Sequence, residues 1–146
     1  MVSVGPLKIG NAVLCDDVRQ EAHNNKYMLI GVYSGDMVLS QIPADIQLAF
    51  FIEIMAPEGH YDMEIRLSGP QKGGVVIPAP FDHLGKNMAT LASPKLGVNM
   101  TEEGTFKIDL RVGKGRWTNI ISKEVSVNPN VLRPPSEQSQ PDAQLS

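Results

Sequence analysis

The stretch "YDMEIRLS", from Tyr61 to Ser68, alternates apolar and polar residues at every second position. Its tyrosine, methionine, isoleucine and leucine would face one way and the charged residues between them the other, as side chains do along a β-strand. The stretch "FKIDLRV", from Phe106 to Val112, repeats this alternation. Strands with one apolar and one polar face are typical of antiparallel sheets packed in two layers. The two stretches therefore predict an all-β protein.

A third stretch, "DIQLAFFIEIM" from Asp45 to Met55, carries apolar residues on both faces. Every second residue from Ile46 to Ile54 is aliphatic or aromatic, and the opposite face still includes Ala49, Phe51 and Met55. A strand that is apolar all round is expected to be buried on both sides. We therefore predict that this strand lies at the centre of the fold and is covered on both faces.

Turn residues divide the rest of the chain into further short strands. Asn24-Asn25 suits a tight hairpin turn, Gly113–Gly115 suits a hairpin loop, and Pro94 predicts a break or bulge within a strand. A short turn within Phe81–Asn87 is the one helical segment that the pattern suggests. Roughly seven to nine short strands at regular spacing predict an antiparallel immunoglobulin-like β-sandwich. The strands predicted in this way are Ala12–Arg19, Lys26–Ser34, Met37–Gln41, Ile46–Met55, Tyr61–Ser68, Val75–Ile77, Met88–Met100, Phe106–Val112 and Trp117–Val127.

Two short motifs add to the immunoglobulin-like prediction. "PEGHY", Pro57 to Tyr61, and "EEGTF", Glu102 to Phe106, both place an aromatic residue two positions after a turn glycine. This spacing is similar to that of the tyrosine corner of immunoglobulin-type domains, whose hydroxyl bonds back to the chain. Phe106 has no hydroxyl, so only Tyr61 can make such a bond.

Length and charge exclude several classes of protein. The 146 residues fit one domain, and sixteen acidic against thirteen basic residues leave a formal charge of −3 without a long Lys/Arg run. No apolar run approaches the ~20 residues of a membrane helix, and the N-terminus does not resemble a signal peptide. A single cysteine suits a reducing compartment. We therefore predict a cytoplasmic protein with neither a nucleic-acid nor a membrane partner.

The composition changes after Val127. Residues 128–146 are rich in proline, serine and glutamine. Such a segment has too little apolar surface to offset its ordering entropy. We therefore predict a β-sandwich domain over residues 1–127 and a flexible, disordered tail over residues 128–146.

Three pieces of the chain carry a resemblance, and the first two of them are distinctive: "LCDDVRQE" (Leu14 to Glu21), "KYMLIGVYSGD" (Lys26 to Asp36) and "EEGTFKIDLRV" (Glu102 to Val112). With them the chain resembles a family of uncharacterised bacterial proteins, a domain of unknown function. In that family a strand ends in a Cys-Asp-Asp-Val-Arg motif, and a turn leads to a strand that reads like Leu-Ile-Gly-Val-Tyr-Ser-Gly-Asp. The resemblance implies a small stand-alone cytoplasmic β-sandwich, and it implies no activity and no functional residues.

The segment Cys15-Asp16-Asp17 holds the only cysteine of the chain. Neighbouring carboxylates disfavour the thiolate that a nucleophilic cysteine needs, and a strand offers no helix dipole to stabilise it. We therefore interpret Cys15 as a small buried apolar residue. The two aspartates are interpreted as strand-end or bulge residues that bond to backbone amides or to cations such as Arg19 and Arg66. The alternative is a cation or partner site built from both aspartates and Glu21.

A second group of ionisable residues is predicted to meet at one end of the sandwich. His60 and Asp62 open one strand, while Asp82 and His83 follow the strand Val75–Ile77. If the two strands pair antiparallel, these four side chains come close together. Two histidines and two carboxylates could hold a transition metal, although no compact ligand spacing is present.

Trp117 begins the last predicted strand, directly after the glycine hairpin loop. Its ring could fill the core or anchor an interface. We favour the core, because a sandwich with so few aromatic residues needs its large side chains inside.

The sequence favours a non-enzymatic protein-interaction module that binds another protein, or itself, through exposed edges and loops. The candidate loops are Gln71–Gly74, Phe81–Asn87 and Gly113–Arg116. No catalytic, cofactor-binding or metal residue is assigned and no cofactor is expected, since phosphate-loop and nucleophile-elbow motifs are missing from the sequence. The alternative is a small metal-binding protein or enzyme that uses His60, Asp62, Asp82 and His83. An accessory factor of a phage or other mobile element is a further possibility.

Overall fold

The regular structure of the protein consists of β-strands. A computed structural model describes residues 1–131 of the chain, and no helix occurs among them. In chain order the strands are β1 (Val2–Val4), β2 (Leu7–Cys15), β3 (Asp17–Gln20), β4 (Tyr27–Ile30), β5 (Met37–Leu39), β6 (Ala44–Met55), β7 (Gly59–Tyr61), β8 (Met63–Ser68), β9 (Gly74–Pro78), β10 (Phe81–His83), β11 (Ala89–Ala92), β12 (Leu96–Met100), β13 (Gly104–Val112) and β14 (Thr118–Val127). The prediction of an all-β fold is confirmed. Within residues 1–131 there is accordingly no helix long and apolar enough to cross a membrane.

Ten of these strands form two five-stranded sheets. In the first sheet β1 pairs with β2 and β2 with β6, and the other edge of β6 is shared by β11 and β12. The second sheet has the order β5-β14-β13-β8-β9, antiparallel except for the parallel pair of β5 and β14. The rows β2-β6-β11 and β14-β13-β8 correspond to the A-B-E and G-F-C strand orders of an immunoglobulin-type sandwich. Two further antiparallel pairs form short two-stranded ribbons: the hairpin β3-β4, and β7 with β10, which are separated in the chain by β8 and β9.

The residues described contain fourteen strands, more than the seven to nine expected, because several continuous patterns are interrupted in the folded chain. The Ala12–Arg19 pattern is split at Asp16 into β2 and β3, and the Tyr61–Ser68 pattern is split at Asp62 into β7 and β8. The predicted break at Pro94 is confirmed. At this break the hydroxyl of Ser93 accepts a hydrogen bond from Phe50 N–H of β6 at 2.8 Å, so Ser93 stays attached to that strand. At Asp16 and Asp62 the chain passes between a main sheet and a two-stranded ribbon, whereas at Pro94 the strands on both sides, β11 and β12, stay paired with β6.

Two other segments differ from the expectations. The helical turn considered within Phe81–Asn87 does not form, since Phe81–His83 is strand β10 and pairs with β7. The N-terminal β1–β2 hairpin was not expected from the pattern, and there a bulge between Ile9 and Ala12 interrupts the pairing with β6.

The first part of the predicted tail, residues 128–131, forms a turn in which Asn128 N–H bonds to Leu39 O at 2.8 Å. The rest of that tail prediction, from residue 132 onward, lies outside the described residues.

The core lies between the two sheets and is centred on β6. Its inward residues pack into one apolar cluster with the inward residues of β13. Burying each such side chain contributes about 1.5–3 kcal/mol. The core residues from these two strands are Leu48, Phe50, Ile52 and Ile54 of β6 and Phe106, Ile108 and Leu110 of β13.

The outer face of β6 is covered as well, as the sequence predicts. Ala49 is fully buried, and Phe51 is half-buried with Tyr27 edge-on to its ring at a centroid distance of 5.5 Å. Tyr27 belongs to the β3–β4 ribbon, which lies over this side of the first sheet. The doubly apolar pattern of β6 therefore reflects a sheet strand with a ribbon on its outer side.

The two aromatic-after-glycine motifs have different roles. Tyr61 donates its hydroxyl hydrogen to Pro57 O at 2.6 Å, a back-bond similar to that of a tyrosine corner, although Tyr61 lies between β6 and β8 and not at the start of the F-equivalent strand β13. Phe106 is buried in the core at 2% exposure. The hydroxyl of Tyr61 therefore closes the turn between β6 and β7 with a hydrogen bond that Phe106 cannot make in its own motif.

Removing that hydroxyl tests the corner. Tyr61→Phe is expected to lower the free energy of unfolding by about 1 kcal/mol, the typical net contribution of one hydrogen bond. Urea unfolding followed by circular dichroism measures the change. Tyr27→Phe is the matched control, since its hydroxyl has no partner in the described residues. Equal effects of the two substitutions would contradict a specific role for the Tyr61–Pro57 bond.

Candidate functional site

Cys15 is a buried residue of the first sheet. It ends β2 with no exposed surface, and its Sγ lies 3.4 Å from Asp17 O and 3.6 Å from Ala49 O. Burial raises the pKa of the Cys15 thiol, and the negative charges of Asp16 and Asp17 raise it further. The interpretation of Cys15 as a small buried apolar residue is confirmed, and a raised pKa opposes nucleophilic use of the thiol.

Asp17 is an ion-paired strand residue. Its Oδ2 accepts a bond from Arg19 Nε at 2.7 Å and lies 3.8 Å from Lys95 Nζ. The bond from Arg19 is the main cause that lowers the pKa of the Asp17 carboxyl. Arg66, named with Arg19 as a possible partner, instead pairs with Asp109. Asp17 therefore has the structural role that we expected.

Asp16 occupies the break between β2 and β3. Its backbone N–H bonds to Ile30 O at 2.9 Å, which closes the β3–β4 ribbon onto the sheet. Its carboxylate is close to Tyr33, and burial, followed by the charge and hydrogen bond of Asp16, raises the pKa of Tyr33 to about 12. In residues 1–131 no three His, Cys, Asp or Glu side chains have the arrangement of a metal site. A cation site built from Asp16, Asp17 and Glu21 therefore has no support among those residues, and a partner site at these acids stays a prediction.

The accessibility of Cys15 can be tested directly. In the folded protein the thiol is expected to react with an aromatic disulfide reagent about 100-fold more slowly than in urea, because reaction requires local opening of the sheet. The release of the coloured thiolate gives both rates. Fast reaction under native conditions would contradict the buried position of Sγ.

His60, Asp62 and Asp82 come together at one end of the molecule. The pairing of β7 with β10 places Asp82 directly opposite His60. His60 Nδ1 lies 2.7 Å from Asp82 Oδ1, and its Nε2 lies 3.0 Å from Asp62 Oδ1. Both ring nitrogens can donate to carboxylates at once only in the protonated imidazolium form. The bond to Asp82, followed by the bond to Asp62, raises the pKa of His60.

His83 does not join this group, so the expectation that all four side chains converge is wrong for this residue. It is buried at 3% exposure, where Nε2 donates to Ile54 O at 3.1 Å and Nδ1 accepts from Gly85 N–H at 2.8 Å. Adjacent residues of a strand point to opposite faces, so Asp82 points outward when His83 points inward. Both nitrogens of His83 are engaged by the backbone, which leaves neither free for a metal.

The His60 cluster should make stability depend on pH. A raised folded-state pKa means that His60 stabilises the fold fully below its ordinary value near 6.5, and that this contribution is lost as the pH rises through the folded value. His60→Gln should therefore cost more stability at about pH 5.5 than at about pH 9. Urea midpoints at the two pH values measure this difference.

The Asp62→Asn/Asp82→Asn variant is the control, because without the carboxylates the dependence on His60 should largely disappear. An NMR titration in which His60 titrates at or below the ordinary value would contradict the geometry.

Trp117 is not a core residue, and the expectation that it fills the core is wrong. It is half-buried on the outer face of the second sheet, and it is not part of the core cluster. The guanidinium carbon of Arg66 lies 4.5 Å from its ring centroid and that of Arg111 lies 4.4 Å from it. Contacts of this kind contribute roughly 0.5–2 kcal/mol each. The indole is thus held at the surface by two arginines rather than by the core.

Both arginines are in turn held by carboxylates of the neighbouring strands. Arg66 donates from Nε and Nη2 to Asp109 Oδ2 at 3.2 and 2.9 Å, and Asn119 Nδ2 donates to Asp109 Oδ1 at 3.0 Å. Arg111 Nε donates to Glu64 Oε1 at 2.7 Å. Asp109 is only 5% exposed, and a buried charge needs an ionic partner, which Arg66 supplies. The Trp117 patch, as we call this group, comprises Glu64, Arg66, Asp109, Arg111, Trp117 and Asn119.

A depression and an apolar edge adjoin the Trp117 patch. The depression has a volume of about 350 Å³, and its lining includes Glu64, Arg111, Pro78 and Lys114. Strand β9 forms the edge of the sheet, and its Val76 is paired with Arg66 and 48% exposed. The patch therefore joins a charged aromatic centre to an exposed apolar margin.

Sequence reasoning named Arg66 only as a partner for the aspartates near Cys15 and placed neither Arg66 nor Arg111 at Trp117, although a signal for this arrangement was present. Arg66 and Arg111 both stand on the polar faces of strands that were predicted correctly. Once β8 and β13 are taken as neighbours, two arginines and two carboxylates on their outer faces suggest cross-strand ion pairs. The pairing itself could not be deduced from either strand alone.

No protein-family model matches this chain, and no curated protein matches it at a significant level. The resemblance to a family of bacterial proteins therefore stays a prediction.

Proposed function

We propose that the protein is a non-enzymatic protein-interaction module of the bacterial, phage or mobile-element cytoplasm, which binds its partner through the Trp117 patch. The observation that carries the proposal is the half-buried indole of Trp117, which Arg66 and Arg111 contact on the outer face of the second sheet. Tryptophan and arginine are the residue types most enriched among interface hot spots. The free, buried thiol of Cys15 suits a reducing compartment such as the cytoplasm.

The order of the patch before binding supports this proposal. Trp117 is positioned by Arg66 and Arg111, and each arginine is fixed by an acid of an adjacent strand. Side chains that are already ordered lose little conformational entropy when a partner arrives, so more of the contact energy appears as affinity. A rigid sheet is a good platform for such a surface because its backbone does not have to move.

Self-association is a special case of the same proposal. The edge strand β9 exposes Val75 at 56% and Val76 at 48%, and an edge with apolar side chains can pair with a strand of another copy. A second copy is therefore included as a possible partner, whereas nucleic acid and membrane are not proposed.

The alternative, a small metal-binding protein or enzyme that uses His60, Asp62, Asp82 and His83, has less support. Three of the four side chains meet, but both ring nitrogens of His60 already bond to carboxylates. His83 is turned into the interior, with both of its nitrogens engaged. No specific observation favours this second function over the interaction module.

Matched surface variants test the proposal. The full-length chain, Trp117→Ala and Leu84→Ala are immobilised and exposed to native bacterial lysate, and their self-association is measured by sedimentation. Leu84, at 76% exposure, is a large apolar residue outside the patch and serves as the control. A partner or second copy should be retained by wild type and by Leu84→Ala, and should be weakened by about 2 kcal/mol, roughly 30-fold, in Trp117→Ala.

Circular dichroism and a melting curve establish that both variants fold. Equal retention of the partner by Trp117→Ala and Leu84→Ala would contradict the proposal. A wild-type protein that stays monomeric and retains no partner would contradict it as well.

A further inference from the structure

Positive charge is concentrated around Trp117, although the chain as a whole is acidic. The outer faces of β8 and β13 and the loop that follows β13 contribute five cations against two carboxylates, a local charge of +3 where the whole chain carries −3. The cations are Arg66, Lys107, Arg111, Lys114 and Arg116, and the carboxylates are those of Glu64 and Asp109.

The two carboxylates inside this region are already neutralised by Arg66 and Arg111. Lys107, Lys114 and Arg116 form no ion pair with any other described residue and are exposed to solvent. Two further acids lie at the borders of this positively charged region, and each has a partner of its own. Asp62 contacts His60, and Glu124 accepts a bond from Thr105 at the far end of β13. The uncompensated charge therefore lies on the glycine-rich loop that leads to Trp117, through Lys114 and Arg116, and on Lys107 of β13.

The opposite margin of the patch is apolar. Val76 is paired with Arg66 and Pro78 with Glu64, so both lie on the same outer face as the arginines. Both residues are exposed. A ligand bound on this face can therefore contact cations of the loop and small apolar side chains of β9 together, since Lys114 and Pro78 line the same depression.

We infer that the partner presents an extended acidic segment that includes an apolar side chain, bound across the outer face of the second sheet. This inference rests on the function proposed above and specifies the chemistry of its partner. Aspartates or glutamates of the segment pair with Lys107, Lys114 and Arg116, and its apolar side chain packs on the β9 margin beside the rim of the Trp117 ring, whose face the arginines occupy. Opposite charge guides such a segment to the face, and the apolar contact holds it there.

A nucleic-acid strand fits this face less well than an acidic peptide. Binding of single strands relies on aromatic rings free to stack on bases, and two guanidinium groups already lie over the Trp117 ring. Along β13 the neutral Arg66–Asp109 and Arg111–Glu64 pairs separate Lys107 from Lys114 and Arg116, so the free cations do not form a continuous track for a phosphate backbone. A short acidic peptide can place its carboxylates selectively and avoid both acids.

The only tryptophan of the chain serves as the reporter of binding. Full-length protein is titrated with a capped peptide in which glutamates flank a central Leu-Phe pair, and the indole N–H resonance and fluorescence of Trp117 are followed. A matched peptide with lysines in place of the glutamates and an oligothymidylate of equal charge are titrated in parallel. The glutamate peptide should shift the indole signal, and its binding should weaken as salt is added.

Charge-reversal variants make the test specific. Lys114→Glu/Arg116→Glu should weaken binding of the glutamate peptide by about tenfold or more. Lys26→Glu/Lys86→Glu changes the net charge of the chain by the same amount at exposed positions outside the patch, and it should bind like wild type. Neither pair of substitutions removes an ion pair seen in residues 1–131, so both variants should fold.

Several outcomes would overturn the inference. These are failure of the glutamate peptide to shift the Trp117 signal, equal binding of the lysine peptide, a preference for oligothymidylate, or equal weakening in both charge-reversal variants. If a natural partner is lost in Trp117→Ala but tolerates Lys114→Glu/Arg116→Glu, the acidic segment is wrong while the interaction module stands. If Trp117→Ala loses nothing, both proposals fail.

Discussion

The packing of β6 against β13 is the interaction on which the rest of the structure depends. Because side chains alternate along a strand, the register that places one face in the core also fixes the other face. In the second sheet the register that sets Ile65 opposite Leu110 in the core also sets Arg66 opposite Asp109 on the outside. The Trp117 patch is therefore specified together with the core, and a slip of one residue would destroy both.

The two polar clusters of the molecule differ in how firmly they are built. Asp109 is almost completely buried, and removing Arg66 would leave its charge without an ionic partner, so that pair is strongly constrained. The contacts of His60 with Asp62 and Asp82 are exposed to solvent, where ion pairs contribute little and respond to pH. The Arg66–Asp109 cluster can hold Trp117 ready for a partner, whereas the His60 cluster mainly adjusts the stability of the β7–β10 ribbon.

Much of the architecture could be predicted from local pattern, and the failures have physical causes. Strands such as Phe106–Val112 were predicted well because alternation is a property of the strand itself. The approach of His60 to Asp82 followed from expected antiparallel pairing, but His83 was misplaced because adjacent strand residues face opposite sides. Trp117 was assigned to the core because size alone favours burial, while its actual position depends on two arginines from other strands.

The amino-acid sequence by itself determined the strand class, the turns and the face of each strand that is apolar, because period-two alternation and turn residues act over a few neighbouring positions. Only the tertiary structure decided which strands became neighbours, and with them which charges met. The bond between Arg66 and Asp109 joins residues of two strands that are distant in sequence, and no local pattern encodes that proximity. The placement of Trp117 at the surface follows from that pairing, since its ring rests on side chains that the fold alone brings together.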